Sequence, residues 1–243
     1  METRTDAVMI RELLEEYSTN IFLTSEETSL FSTYISLIFK TENETKMVSA
    51  RVGLKIAISW NNADIIFKNN LLEIFVGLHQ GIPMLRTQRT LIEALARLCL
   101  TIYINSLIVS GIKRNHSPIK ELESAVSSKK VKKLTRQFSK YLNSVNLSET
   151  EQTLTSTYET LNNVIHGNPG FQYPEYLDQF VPAIKDKIAT GITNFRKELE
   201  LSLICLMSVS QSFTDSPILS RADFAWIEKN KCIVSLSDIK TVS

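Results

Sequence analysis

The chain is predicted to be all-α, a multi-helix bundle with a long C-terminal helix. Three observations predict it. Only 7 Gly and 6 Pro occur in 243 residues, too few for the tight turns of an all-β fold. Apolar residues recur at three- and four-residue steps through several long segments, the period of a helix with one buried stripe. The breaks between those segments carry helix-start and helix-stop residues. Apolar content is ordinary for a globular protein, and a chain of this length can bury a real core.

A first helix is expected over Asp6 to Tyr17, where Met9, Ile10, Leu13, Leu14 and Tyr17 share a face. Thr24 or Ser25, followed by Glu26 and Glu27, reads as an N-cap with acids in the first turn. It opens a second helix through about Phe39. Thr41 to Lys46 is polar and reads as a loop. From Met47 to Trp60 the residues Val48, Val52, Leu54, Ile56 and Ile58 mix strand-like alternation with β-branching, and context favours helix. Asn61-Asn62 marks a break, and Asp64 caps or opens the next helix, Ile65 to Leu78.

Gly81-Ile82-Pro83 is a stop followed by a start, and opens a long apolar helix from Pro83 to about Val109. Gly111 to Pro118 is a connection, with His116-Ser117-Pro118 starting a short helix through Val126. A basic segment with apolar residues between its charges follows, from Lys129 to Tyr141. Ser148-Glu149-Thr150-Glu151 starts a helix that runs to His166, and Gly167-Asn168-Pro169-Gly170 stops it. Pro174 or Pro182 opens a long helix with the stripe Ile184, Ile188, Ile192, Phe195, Leu199, Leu203 and Leu206. After Pro217 come a short helix, Arg221 to Glu228, and a Cys-Ile-Val-Ser-Leu tail compatible with a short strand. No repeat or linker divides the chain. One helical domain over 1–243 is expected, with a core of about 62–211, N-terminal helices over 5–40 and an appendage over 217–243.

Composition removes several function classes. A net charge of +1 argues against a uniformly nucleic-acid-binding surface, so any electropositive site must be local. Cys99, Cys205 and Cys232 have no zinc-ligand spacing and read as small core residues in a reducing compartment. Met1 to Glu16 is charged throughout, so no signal peptide is expected. Leu91 to Ile112 is interrupted by Glu93 and Arg97, and Leu199 to Phe213 is short for a span; both read as buried helices of a cytoplasmic protein without a membrane partner. There is no P-loop, no Gly-x-Gly-x-x-Gly, no His-Glu-x-x-His and no Gly-x-Ser-x-Gly. No metal or cofactor is expected.

Two helical signatures remain. The first is Arg86-Thr-Gln-Arg89-Thr-Leu-Ile-Glu93-Ala-Leu-Ala-Arg97. At about 100° per residue, Glu93 and Arg97 lie within about 20° of Arg86, and Arg89 about 60° away. This charged stripe runs into Leu100 and Ile104. Arg89–Glu93 and Glu93–Arg97 have i,i+4 spacing and can pair. Such a set is often structural; the functional alternative leaves one arginine free to grip a phosphate. The second signature is Tyr158-Glu-Thr-Leu-Asn162-Asn163-Val-Ile-His166-Gly167. Tyr158, Asn162 and His166 share a face, and the helix C-terminus favours the charged form of His166. The plainer role is a capping histidine beside a Gly stop. The functional one is a general acid–base, with Asn162 orienting substrate or water. His79 reads as a helix-end residue and His116 as a loop residue.

Together the two signatures resemble the HEPN superfamily, four-to-five-helix bundles that include many ribonucleases of toxin–antitoxin, CRISPR and phage-defence systems. The resemblance covers roughly Leu85 to Asn168. It implies a HEPN-like RNA-binding protein or metal-independent endoribonuclease, with the 2′-hydroxyl of RNA as nucleophile and a 2′,3′-cyclic phosphate as product. Asn162 falls on the family's polar position and His166 on its histidine. The family's arginine falls on Leu161. The resemblance then implies one of two things. Either Arg89 or Arg97 supplies the phosphate clamp, with Glu93 holding it, or the chain is a non-catalytic member. It also implies a homodimer in which two His helices face each other, and a protein partner in a defence or toxin–antitoxin complex. The alternative is a non-catalytic helical module: an effector, an inhibitor, or a subunit of a nucleoprotein complex.

The basic run adds an RNA surface. Lys129, Lys133, Arg136 and Lys140 lie along one helical face, with Phe138 and Tyr141 near enough to stack on a base. Tyr158 joins them as an RNA-contact candidate. The plainer reading is a solvated helix face with Val131, Leu134 and Phe138 in the core.

Overall fold

Helices form where the periodicity predicts them, but their bounds shift where polar side chains meet each other instead of water. The computed structural model describes residues 23–53, 58–81, 85–165, 180–214 and 216–232. Among these there are eight helices and no strand: α1 Ser25–Arg51, α2 Ile58–His79, α3 Leu85–Val109, α4 Ser117–Val126, α5 Val131–Ser144, α6 Ser148–Ile165, α7 Phe180–Ser210 and α8 Arg221–Asn230. The expected helix over Asp6 to Tyr17, the residues Leu54, Ile56 and Pro83, the segment His166 to Gly170, Pro174 and the tail beyond Cys232 lie outside the described residues.

Helix α1 starts on a capping box. The Thr24 hydroxyl accepts from the Glu27 N–H at 3.1 Å, and the Glu27 carboxylate accepts from the Thr24 N–H at 2.9 Å. The helix does not stop near Phe39, and Thr41 to Lys46 is not a loop: α1 continues to Arg51. The polar run is an interior seam. Glu42 is fully buried and accepts from Lys46 Nζ at 2.9 Å, Lys68 Nζ at 2.8 Å and Trp60 Nε1 at 3.1 Å. Both lysines also reach Asp64, at 2.6 and 2.9 Å. Thr41 and Thr45 return their hydroxyls to carbonyls one turn back. Asn61 and Asn62 are exposed on α2 and do not break it, and Asp64 is a buried partner of the network, not a cap. Burial alone pushes the Lys46 ammonium toward neutrality, but its bonds to Asp64 and Glu42 outweigh this and hold its pKa above the ordinary value.

Gly81 closes α2 with φ +77°, donating to Leu78 O at 2.9 Å, as a helix stop requires. Helix α3 is the hub. It packs against α2, α4, α5, α6 and α7, and Leu91, Leu95, Leu98, Cys99 and Ile102 are buried among them. Its length and apolarity suffice to cross a membrane, yet most of its apolar stretch is covered by these neighbours. Helix α7 lies against α1, α3 and α6. It begins at Phe180, so Pro182 falls in its first turn, where a missing N–H costs nothing. Phe195, Leu199, Leu203 and Leu206 of the expected stripe are buried, and Phe31 meets Phe195 edge-on at 5.4 Å.

The segment after Pro217 docks on this frame. Trp226 of α8 meets Tyr34 edge-on at 4.9 Å, and Lys40 pairs with Asp223 at 2.6 Å. Arg196 donates to Asn230 O at 2.9 Å. Glu200 accepts from the Tyr34 hydroxyl at 3.3 Å and from the Cys232 N–H at 2.6 Å.

One buried group on α7 costs stability. Asn194, Glu198 and Ser202 recur every four residues and are all buried. Both Glu198 carboxyl oxygens lack a hydrogen-bond partner among the described residues. Burial raises the Glu198 pKa well above its ordinary 4.5. An acid whose folded pKa is raised gives stability that is complete below the unfolded pKa and is lost as pH rises toward the folded one. Glu198→Met is therefore expected to stabilise the protein at pH 7 by about 1–3 kcal/mol, the order of cost of an orphaned buried polar group. The gain should shrink at pH 4, where folded and unfolded chains both carry the proton. Urea unfolding of both proteins at the two pH values checks this; a gain independent of pH would contradict it.

Candidate functional site

The charged stripe of α3 passes from wet to dry along the helix. Arg86 is exposed, Arg89, Glu93 and Arg97 are half-buried, and Leu100 and Ile104 are buried. Helix α6 packs against α3 and brings Tyr158 onto the stripe. Arg89 Nε donates to the Tyr158 hydroxyl at 3.1 Å, and that hydroxyl donates to Glu93 Oε1 at 3.2 Å. Arg89 Nη2 lies 3.4 Å from the same carboxylate oxygen, and the guanidinium carbon sits 5.5 Å from the Tyr158 ring centre. Burial, more than the Glu93 charge, raises the Tyr158 pKa, so the phenol keeps its proton and donates. Arg89 is thus compensated on two sides.

Arg97 serves a different neighbour. Its guanidinium donates to Val126 O and, at 3.1 Å, to Ser128 O. These carbonyls lie at the C-terminal end of α4, where unpaired acceptors and the negative end of the dipole attract a cation. Glu93 therefore holds Arg89 and not Arg97. Neither arginine is a free phosphate clamp.

A cleft of about 480 Å³ lies between α5 and α6, above Ile92 of α3. Lys132 and Arg136 line it from α5, and Glu151, Tyr158, Glu159 and Asn162 from α6. Phe138, Leu142 and Leu154 give it an apolar floor. The size suits a small ligand or one unit of a larger one. Glu151 accepts from the Ser139 and Thr155 hydroxyls at 2.7 and 3.0 Å. The cleft thus joins Tyr158 and Asn162 of the second signature to Arg136 of the basic run.

The rest of the basic run is also exposed. Lys129, Lys130, Lys132, Lys133, Arg136 and Lys140 all face solvent, and none is in an ion pair among the described residues. Lys129 precedes α5 and does not ride on it. Lys133 Nζ donates to Ser124 Oγ at 2.5 Å, on the α4 side. Tyr141 is not available to stack on a base, and Phe138 reaches the outside only as part of the cleft floor. They are buried, with ring centres 6.4 Å apart, and Tyr141 also meets Tyr103 at 4.8 Å.

His166 lies outside the described residues. Leu161, where the resemblance expected an arginine, is fully buried, so that place on α6 faces the core. Asn162, one position on, faces the cleft. His79 stacks on Phe75 at 6.3 Å, and His116 is the exposed N-cap position of α4 without a side-chain cap bond. No cluster of three or more metal-ligating side chains occurs among the described residues. Cys99 and Cys205 are buried as expected, but Cys232, expected in the core with them, is exposed, because it follows α8 at the edge of the fold. The Cys232 thiol is pushed up to about 12, by burial first and then by Glu200, which makes it a poor nucleophile.

The sequence reading missed Lys132, Glu151 and Glu159 as cleft residues. Four-residue spacing of Lys132 and Arg136 was a visible signal; the α6 acids carried none. No family model, no curated protein and no solved structure matches this chain.

Proposed function

We propose that this protein is an RNA-binding helical module, and that RNA lies along the basic surface of α5 and enters the cleft beside it. The observation that carries this reading is segregation of charge. Six cations and no acid fall within 129–140, leaving 21 basic against 26 acidic residues elsewhere. Crowding six exposed like charges into residues 129–140, four of them on α5, opposes folding, and a polyanion relieves it. The cleft fits the same partner. Phosphate meets Lys132 and Arg136, an unstacked base meets the apolar floor, and Glu151, Glu159 and Asn162 offer acceptors and donors to a 2′-hydroxyl or a base edge. The likeness to HEPN proteins supports RNA as the polyanion, and with it a cytoplasmic place in a bacterial or phage conflict system.

A second reading, metal-independent cleavage, is favoured by Asn162 on the cleft wall, four residues before His166 in the sequence. In that reading the cation at the scissile phosphate is Arg136 or Lys132, since Arg89 and Arg97 are engaged elsewhere. His166 is the proton shuttle.

Labelled single-stranded RNA separates the outcomes. Binding is expected for the wild type and for His166→Ala alike. If the second reading holds as well, the wild type also leaves 2′,3′-cyclic phosphate ends, and His166→Ala removes them without loss of helicity. Absence of RNA binding, together with a stoichiometric protein partner, would replace both readings with that of a protein-interaction module.

A further inference from the structure

Helix α2 has two apolar stripes on roughly opposite sides. Trp60, Phe67, Leu71, Ile74 and Leu78 point inward and are buried. Ile58, Ile65, Leu72 and Val76 point outward and are 79, 55, 41 and 50 % exposed. At about 100° per residue these four fall within about 40° of one direction, so they are a stripe of their own and not the shoulder of the core. A helix that is apolar on both sides is stable when both are covered.

The outer stripe has a register. Ile58, Asn62, Ile65, Asn69, Leu72 and Val76 advance by steps of four and three residues, the spacing of a coiled-coil seam. Isoleucine or leucine takes the d positions, and Asn62, Asn69 and Val76 take the a positions. Both asparagines are exposed, and Ile66, 53 % exposed, flanks the seam. We infer that this face is a two-fold seam to a second copy of the chain, with the two α2 helices parallel and in register.

Three features select a second copy over another occupant. In register, Asn62 meets Asn62 and Asn69 meets Asn69, so each amide finds an amide; against a purely apolar partner both would be buried unpaired. Five exposed apolar side chains make a patch on the order of 500 Å², and two such faces reach roughly the 1,000 Å² at which an interface becomes specific. No charge takes an a or d position of the seam: Asp64 and Lys68 are turned into the Glu42 network, and the exposed Glu73 stands beside Leu72 at the rim, where it stays in water. This surface lies on α2, away from the α5–α6 cleft, and the inference does not rest on RNA binding.

Sedimentation of the full chain at tens of micromolar tests it. The wild type is expected at twice the chain mass, and Ile65→Glu with Leu72→Glu at the chain mass with unchanged helicity. A second arm reads register. In a Cys232→Ser background, where Cys99 and Cys205 are buried, Asn69→Cys is expected to form an intermolecular disulfide on mild oxidation much faster than Lys120→Cys on the exposed side of α4. A monomeric wild type overturns the inference, whether residues 1–22 or a different protein covers the stripe. So does a dimer that survives both glutamates, or equal crosslinking at the two cysteines.

Discussion

Glu42→Ala is expected to lower the unfolding free energy by about 3–5 kcal/mol, the range for removing one member of a buried ion cluster. The carboxylate is fully buried and neutralises two lysines that are themselves mostly covered. It also takes the Trp60 indole proton at the α1–α2 seam. Its loss leaves Asp64 alone to balance both ammonium groups, and leaves a buried indole N–H without an acceptor. The contrast is Arg114–Glu123, whose arginine is largely exposed. Arg114→Ala is expected to cost no more than about 1 kcal/mol, as for surface pairs generally. Urea unfolding of both variants gives the comparison. Equal costs would mean that the Glu42 network does not hold α1 to α2.

The second large effect is on RNA. Replacing Lys132, Lys133, Arg136 and Lys140 together by Gln is expected to weaken RNA binding on the order of 100-fold or more in low salt. It should also flatten the slope of log affinity against log salt by about 3, since each phosphate contact on a single strand contributes about 0.7. These side chains are exposed, and among the described residues the only side-chain hydrogen bond of the four is that of Lys133 to Ser124, so circular dichroism should not change. The matching change at Arg89 should behave differently. Arg89 is compensated by Glu93 and Tyr158, so its loss loosens α3 against α6 and leaves the salt slope nearly intact.

Much of the fold was legible because its signals are local. Thr24 with Glu27, Gly81, Ser148 and the Arg221 helix each mark an end by side-chain or backbone chemistry that the residue types specify. The stripe on α3 was legible too: periodicity puts Arg86 and Ile104 on one face, and the change from charged to apolar residues along that face marks where it passes from water to core. Thr41 to Lys46 was misread because polarity does not distinguish a loop from a buried network. The discriminating signal was present in Glu42-x-x-x-Lys46 and Asp64-x-x-x-Lys68, two i,i+4 pairs on adjacent helices. The partners of Arg97 were not legible, because backbone carbonyls carry no sequence signature. Phe138 and Tyr141 were placed near the basic face by spacing, yet the apolar side of α5 needed both for the core. The cleft itself arises from the packing of α5 on α6, which no single segment encodes.

The most direct test of the central claim is the salt dependence of RNA affinity for the unaltered protein, followed by fluorescence anisotropy on a short labelled single strand. Binding in low salt that falls linearly in log–log form, with a slope of about −3 to −4 for four to six contacts, is the expected result. Absence of binding at low ionic strength, or affinity indifferent to salt, would contradict the assignment of the α5 surface to a polyanion.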